Sequence, residues 1–411
     1  MMLILTLNCG SSSLKCQLYD EASNKIIAKA AADRIGLSGA VISVKSDNGE
    51  ITVKDKIITD HKEAIESILK CFKDSAVLKD INEIEAAGHR IVHGGDLFQK
   101  STLIDESVIQ QIESISHLAP LHNPANILGI RVLQKILPNI SHVAVFDTAF
   151  HSSIPEKAYR YAVCDEWYSK YKVRRYGFHG SSHLYVSKRT AKMLDKPASE
   201  CNMIILHVGN GASITAVENG LSVDTSMGMT PLEGLIMGTR CGDIDASVPA
   251  FITKMTGKCI EEVDEILYKK SGLLGITGKY SDRRDIEANM ETDKLCKMAV
   301  DMECYRLKKY IGSYMAVLNK VDALSFTGGV GENSSLIREK TLENLEYLGI
   351  EIDKEKNRNL KRGVETEISA SSSKIKVFVI PTDEEIVLTE DVIAVLNGKY
   401  KDHSSYSYSF L

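Results

Sequence analysis

Apolar positions in the first fifty residues fall in short alternating blocks broken by turn residues. Segments 3–7, 14–19 and 26–32 read as strands, with Asp20 and Asn24 in the connection between the last two. Segments 41–44 and 51–53 extend this meander around Asp47-Asn48-Gly49. The spacing then becomes helical over 61–74, where Ala64, Ile65, Ile68, Leu69 and Phe72 recur at three- and four-residue intervals. A short buried strand is expected over 84–88, a helix over 105–117, a break over 118–124 and a helix over 126–137. A strand over 142–146 ends at Asp147.

Region 150–200 looks irregular up to a helix over 183–195. A second meander follows over 203–224, with Glu218-Asn219-Gly220 as its hairpin turn. A Gly- and Met-rich loop covers 227–243, and 245–317 is mostly helical with a Gly-rich break at 272–281. Strands at 324–326 and 377–380 and a helix over about 384–396 complete the pattern. The Lys-, Ser- and Tyr-rich tail 398–411 is expected to be loose. A meander with helices thus occurs twice, with no low-complexity linker between the halves. The expected fold is α/β, with two lobes on a duplicated β-meander-plus-helices core. Residues 1–149 plus 385–411 form one lobe and 150–384 the other, and the cleft between such lobes is the usual ligand site.

Two turns sharpen this picture. Asn8-Cys9-Gly10-Ser11-Ser12-Ser13-Leu14-Lys15 follows the first strand, and His207-Val208-Gly209-Asn210-Gly211-Ala212-Ser213-Ile214 follows the strand at 203. Ser13-Leu14 and Ser213-Ile214 hold equivalent places. Small residues let backbone N–H groups crowd a phosphate, and Lys15 adds a point charge. Two further small-residue turns, 88–95 and 327–333, also follow strands. Each alone is an ordinary tight connection; four with a duplication favour nucleotide binding. No GxxxxGK[ST] is present, and no GxGxxG lies in a βαβ unit.

Composition narrows the classes without naming one. The 411 residues suffice for two or three domains, and the 44% hydrophobic and 26% charged fractions are those of a globular chain. A formal net charge of −5 gives nucleic acid or an anionic membrane little electrostatic hold. No run reaches the length of a membrane span, and the N-terminal apolar run is too short for a signal peptide. The nine cysteines are scattered without a CxxC pair, which suits a reducing compartment and argues against disulfides or zinc. The expected setting is cytoplasmic.

Longer motifs carry a family resemblance. N-x-G-S-S-S-x-K (8–15), G-H-R-x-V-H-G-G (88–95), F-D-T-A-F-H (146–151), R-Y-G-F-H-G-x-S (175–182), 207–213, 224–243, 326–333 and 381–385 occur in the order found in the acetate kinases, and the match runs from residue 2 to about 396. The chain resembles that family, whose superfamily includes actin, sugar kinases and heat-shock ATPases. The resemblance implies an actin-like ATPase fold with the active site in the interlobe cleft. It implies magnesium-dependent phosphoryl transfer from ATP to acetate, giving acetyl phosphate and ADP, with manganese as a substitute metal and a homodimer as the assembly. A propionate or other short-chain acyl kinase on the same site is the alternative.

Residue by residue, the resemblance makes Asn8 and Glu384 metal-site residues and Lys15 a phosphate contact. Arg90 resembles the clamp on the acetate carboxylate, a task suited to two parallel guanidinium hydrogen bonds. Val92, Leu121, Phe178 and Pro231 match the methyl-binding surface. His179 and Arg240 resemble stabilisers of the equatorial oxygens of the transferring group. His207, Val208, Gly209, Asn210 and Gly211, then Asp282, Arg283 and Arg284, then Gly329, Val330, Gly331, Glu332 and Asn333 match the nucleotide site. Asp147 matches the family's catalytic acid or base. Acetate is already ionised at neutral pH, so a carboxylate that holds magnesium through water or orients Arg90 or Arg240 fits the chemistry better.

The bland readings sit beside these. His61, His142 and His403 read as packed structural histidines, whereas His183 and His207 are ambiguous. Thr382-Asp383-Glu384-Glu385 is also a capping-box pattern, with Glu385 as the capping partner and Glu384 facing the site. Met229, Cys241, Ala246 and Asp383 depart from the family's usual Phe, Ser, Pro and Asn.

Overall fold

The computed structural model describes residues 2–10, 12–56, 58–120 and 122–411, excluding the side chains of 54–56. Leu121, expected in the methyl surface, lies outside the described residues. The chain divides into two compact units. One comprises the residues up to Phe150 together with Asp383–Phe410, and the other is His151–Thr382.

In the first unit, β1 (Leu3–Cys9), β2 (Ser13–Asp20), β3 (Lys25–Asp33), β4 (Ala40–Ser46) and β5 (Gly49–Lys56) form an antiparallel meander. With β6 (Ile84–Ile91), β7 (Thr102–Leu103) and β8 (Ser141–Phe146) they make one sheet of order β5-β4-β3-β2-β1-β6-β8-β7. Strands β1, β6 and β8 are parallel, and β7 is an antiparallel edge strand. The two-residue period assigns the faces. Leu14, Cys16 and Leu18 share a core with Ile65, Ile68 and Phe72 of helix His61–Asp74, whereas Ile4, Ala86 and Val143 pack with Leu388 and Val392 of helix Glu384–Leu396.

In the second unit, β9 (Met203–Val208), β10 (Ala212–Glu218), β11 (Leu221–Thr225), β12 (Ala323–Thr327), β13 (Thr366–Glu367) and β14 (Lys376–Val379) form a sheet of order β11-β10-β9-β12-β14-β13. Its strand directions repeat those of β3-β2-β1-β6-β8-β7, including the short antiparallel edge strand. The duplication expected from the two meanders is therefore one of topology. No helix among the described residues is long and apolar enough to cross a membrane.

Four local expectations are corrected. Region 150–200 holds helices Glu156–Tyr159, Asp165–Tyr171 and Gly180–Met193. The small-residue stretch after β12 is not an open turn but helix Gly328–Asn333. Gly328 has φ +77°, and a Cβ there would lie 2.8 Å from the Val208 carbonyl oxygen, so glycine lets this helix start hard against β9. The cap of the last helix is Asp383, which accepts from the Ile386 N–H at 3.0 Å, rather than Glu385.

The tail is packed rather than loose. Tyr408 donates to Asp391 Oδ1 at 2.9 Å, Tyr400 to Oδ2 at 3.2 Å and Ser101 to Oδ2 at 2.5 Å, while the Ser409 N–H donates to Glu390. Two acids buried on helix Glu384–Leu396 need donors, and the tail's hydroxyls supply them.

Burial pushes the Asp391 carboxyl up to about 6, against the lowering by Ser101, Tyr408 and Tyr400. The folded state thus holds a proton that the unfolded chain, at about 3.9, releases first. The contribution of this group is full below about pH 4 and is lost as pH rises through about 6. Urea unfolding of Asp391→Asn and the parent between pH 4 and 7 should show the parent losing about 2–3 kcal/mol more across that window. Equal slopes would refute it.

Candidate functional site

Parallel pairing brings the ends of β1, β6 and β8 side by side, and three of the expected residues lie there. Asn8 is next to last in β1, Arg90 next to last in β6, and Asp147 directly follows β8. The Arg90 Nε and Nη2 donate to the two oxygens of Asp147, each at 2.7 Å. The Asp147 N–H donates to the Ile91 carbonyl at 3.0 Å. Asp147 is only 3% exposed; burial pushes its carboxyl up while the Arg90 guanidinium pulls it down. Glu384 Oε2 lies 3.5 Å from Arg90 Nη2. The bidentate edge expected to clamp a ligand carboxylate is therefore engaged with Asp147, and Nη1 takes no part in that pair.

Asn126, which sequence reasoning passed over, fixes this corner. Its Oδ1 accepts from the Val92 N–H at 3.1 Å and its Nδ2 donates to the Cys9 carbonyl at 2.8 Å, tying the end of β1 to the end of β6. Asn123 makes a reciprocal pair with the backbone of His93. Both amides belong to helix Asn123–Ile136, one turn apart, so the sequence signal was Asn-x-x-Asn on the buried face of that helix. Val92 is half-buried.

In the second unit, His179 has φ +58° and caps helix Gly180–Met193. Its Nδ1 lies 2.9 Å from Ser213 Oγ, which also meets His183 Nε2 at 2.7 Å. The His207 ring stacks on His179 at 4.3 Å and bonds Ser182 Oγ through Nδ1 at 2.7 Å. Burial, with His151 and His207 nearby, holds His183 well below the usual imidazole range, so it is a neutral support. His61, His142 and His403 are buried, as expected of packed histidines.

A Cβ built on Gly211 would lie 3.4 Å from His179 Nε2 and 3.5 Å from Arg240 Nη1, so both nitrogens face one spot beside the β9–β10 turn. Arg240 Nη1 also donates to the Pro231 carbonyl at 3.1 Å. Among the described residues no carboxylate pairs with Arg240, and burial lowers its pKa. Phe178, next to His179, is buried.

A cavity of about 570 Å³ opens beside the same turn. Gly209, Asn210, Asp282, Arg283, Arg284, Gly329, Val330 and Asn333 line it, together with Ser281, Glu287, Ser334 and Arg362, which the sequence reading did not single out. Val208, Gly331 and Glu332 are not among its lining residues. Glu332 Oε1 instead accepts from the backbone N–H groups of Gly328 (3.0 Å) and Thr382 (3.2 Å). Arg283 faces inward: its Nη1 donates to the Gly209 carbonyl at 2.7 Å and its Nε to Glu303 at 2.6 Å. Arg284 is exposed and pairs with the cap residue Asp282.

Lys15 belongs to the first unit and stands opposite Asn8 in the β1–β2 register. It lines a cavity of that unit with Asn8, Arg90 and Glu384. Among the described residues no three His, Cys, Asp or Glu side chains gather as a metal cage. Asn8 and Glu384 do supply hard oxygen donors of the kind magnesium takes while keeping waters and substrate oxygens.

Two topologically equivalent α/β units, one with an uncompensated arginine beside a glycine turn, define a phosphotransferase of the actin-like ATPase fold. The chain belongs to the acetokinase family, whose profile matches residues 3–390, and is a kinase of that family. It is 55% identical to the acetate kinase of Geobacter sulfurreducens over 413 aligned residues, covering 100% of this chain and 98% of that one. The crystal structure of Porphyromonas gingivalis acetate kinase superposes with a TM-score of 0.91 at 43% identity, covering 96% of this chain and 100% of that one. A propionate kinase from Francisella tularensis superposes with a TM-score of 0.89 at 41% identity, covering 96% and 99%.

Arg283 braces the turn through a buried ion pair. Arg283→Leu strands Glu303 and should cost about 3–5 kcal/mol in urea unfolding. Arg283→Leu/Glu303→Leu should recover most of that stability yet still bind ATP about tenfold more weakly, ~1.4 kcal/mol by titration. Parent-like ATP affinity in the double variant would refute the bracing role.

Proposed function

We propose that this protein transfers the γ-phosphoryl group of ATP to acetate, reversibly and directly in line, giving acetyl phosphate and ADP. The carrying observation is the convergence of Arg240 Nη1 and His179 Nε2 beside Gly211, with no carboxylate paired to Arg240 among the described residues. A fixed cation and, in the tautomer with the proton on Nε2, an imidazole N–H suit the charge spread over three equatorial oxygens, and Arg240 breaks no ion pair among the described residues when it takes that role. The family membership supports the same reaction.

In this reading the adenosine occupies the 570 Å³ cavity, and the turn 207–211 and Lys15 hold phosphates. Asn8 and Glu384 hold magnesium, or manganese in its place, which would neutralise phosphate charge. Arg90 presents Nη1 to acetate while Asp147 fixes the guanidinium from its other edge. Acetate attacks as the anion and no proton need be removed. The family resemblance assigns the methyl group to Val92, Leu121, Phe178 and Pro231.

The acceptor is testable as a series. Acyl hydroxamate formed with ATP, magnesium and hydroxylamine should give the highest kcat/KM for acetate. Propionate should be about tenfold or more lower, because one methylene is worth about 1–3 kcal/mol in a close pocket, and butyrate lower still. A preference for propionate, the substrate named for the Francisella relative, would replace acetate in this reading. Asp147→Asn should lower the rate without changing the shape of the pH–rate profile; a lost limb would restore an acid–base role.

The same reading includes a cytoplasmic homodimer. All nine cysteines are free thiols. Leu295, Met298, Met302 and Tyr305 form an exposed apolar stripe along helix Lys294–Leu318, and Phe251 and Met255 add exposed apolar surface on helix Val248–Thr256. Light scattering after gel filtration should give a dimer for the parent and a monomer for Met298→Lys/Met302→Lys. A monomeric parent would remove the dimer from the reading.

A further inference from the structure

The sheet face of the first unit that packs on helix Glu384–Leu396 carries two rows of side chains across the strands. Thr6, Gln17, Lys29, Lys45 and Glu50 are successive register partners from β1 to β5. Asn8, Lys15, Ala31 and Ser43 form the neighbouring row. Both rows line a cavity of about 310 Å³, closed on one side by Leu388.

Two features of this cavity are unfavourable in the empty protein. Gln17 is 1% exposed, yet neither its Nε2 nor its Oε1 meets a hydrogen-bond partner among the described residues. Buried amides are almost always paired, and an open one carries its full desolvation cost. Lys29 and Lys45 stand directly opposite each other across β3 and β4, and like charges so placed repel. Among the described residues neither lysine makes an ion pair, although Glu50 is the register partner of Lys45 and Asp383 feels the Lys29 charge. Glu384 and Glu385 line the other end of the cavity, where Arg90 meets Glu384.

One kind of ligand resolves both features: an anion between the two ammonium groups whose body carries a donor and an acceptor for Gln17. We propose that this cavity binds a small hydroxylated phosphate ester, with the phosphate between Lys29 and Lys45 and a hydroxyl on the Gln17 amide. Strand spacing puts Gln17 roughly 5 Å from the Lys29 position and roughly 10 Å from that of Lys45, the span of an ester of two or three carbons. A dianionic phosphate matches two ammonium groups, and a hydroxyl both donates and accepts, as the two open amide atoms require. The proposal does not rest on the acetate-kinase reading, which gives Gln17, Lys29 and Lys45 no role.

The test is calorimetric titration of the full chain, with ADP saturating, using glycerol 3-phosphate, methyl phosphate and inorganic phosphate as probes. Glycerol 3-phosphate should bind at one site per chain, at least tenfold tighter than inorganic phosphate. Methyl phosphate, an acceptor without a donor, should fall between them. Gln17→Leu should bring the ester down to the affinity of inorganic phosphate, and Lys29→Gln/Lys45→Gln should remove binding of all three. Arg284→Gln, at the nucleotide cavity, should change nothing in these titrations. Gln17→Leu should also melt no lower than the parent, since it removes an unpaired amide. Hydroxamate formation without ester should be unchanged in the Gln17 and lysine variants, so failure here is separable from failure of the catalytic reading. Absence of saturable ester binding, equal affinity in parent and Gln17→Leu, binding that survives loss of both lysines, or a lower melting temperature in Gln17→Leu would each overturn the proposal.

Discussion

Parallel pairing of β1, β6 and β8, and again of β9, β12 and β14, is the constraint on which both candidate sites depend. Parallel neighbours leave the sheet at the same edge, so the connections after them are gathered there with backbone groups no longer tied up in a ladder. In the first unit that edge carries Asn8, Arg90 and Asp147 from segments more than fifty residues apart. In the second it carries the turn Gly209–Gly211 and the start of helix Gly328–Asn333. The glycines follow from this crowding. A Cβ on Gly238 would lie 2.0 Å from Asn210 Oδ1, and the Gly238 N–H donates to the Asn210 carbonyl at 3.0 Å, so a side chain there would have to push the Asn210 amide aside as loop 227–243 closes on the turn.

The three arginines of these sites divide the work by how their charge is met. Arg283 is buried and spent on Glu303 and the Gly209 carbonyl, so its energy goes into the shape of the turn. Arg90 is held on one edge by Asp147 and approached by Glu384, which fixes its plane. Arg240 has a carbonyl and a thioether for partners and no countercharge among the described residues. An uncompensated guanidinium in a partly desolvated place gains most when an anion arrives, because attraction there is least screened. In the proposed reaction that anion is the transferring phosphoryl group.

The meanders and their turns were legible because period-2 alternation and small-residue clusters are local signals. So was the duplication, which shows as one turn pattern occurring twice. Strands β7 and β13 were not legible: two residues carry no period, and they exist only because β8 and β14 offer an edge to pair with. The inward turn of Arg283 was also not legible, since the resemblance puts Asp282, Arg283 and Arg284 together at the nucleotide site without saying which way each side chain turns. The clue was helical spacing, because Arg283 and Ile286 share the buried face of helix Arg283–Asn289. The tail was misread for a related reason. Its hydroxyls look like solvent-loving residues until Glu390 and Asp391, set within the apolar run of the last helix, are seen to be buried and in need of donors.

The geometry bears on what Asp147 contributes. A general base needs a lone pair aimed at the proton it removes, and acetate at neutral pH has no such proton. Both Asp147 oxygens instead accept from Arg90, one N–H each, and the Asp147 N–H is tied to the Ile91 carbonyl, so carboxylate and guanidinium are locked as one rigid plane at the ends of β6 and β8. Burial opposes ionisation of that carboxyl while Arg90 favours it, so a charged Asp147 depends on its partner. Removing either member would leave the other charged or unpaired in a desolvated corner. In the proposed reaction the pair therefore acts as a single positioning element, with Asp147 working through the orientation it gives Arg90.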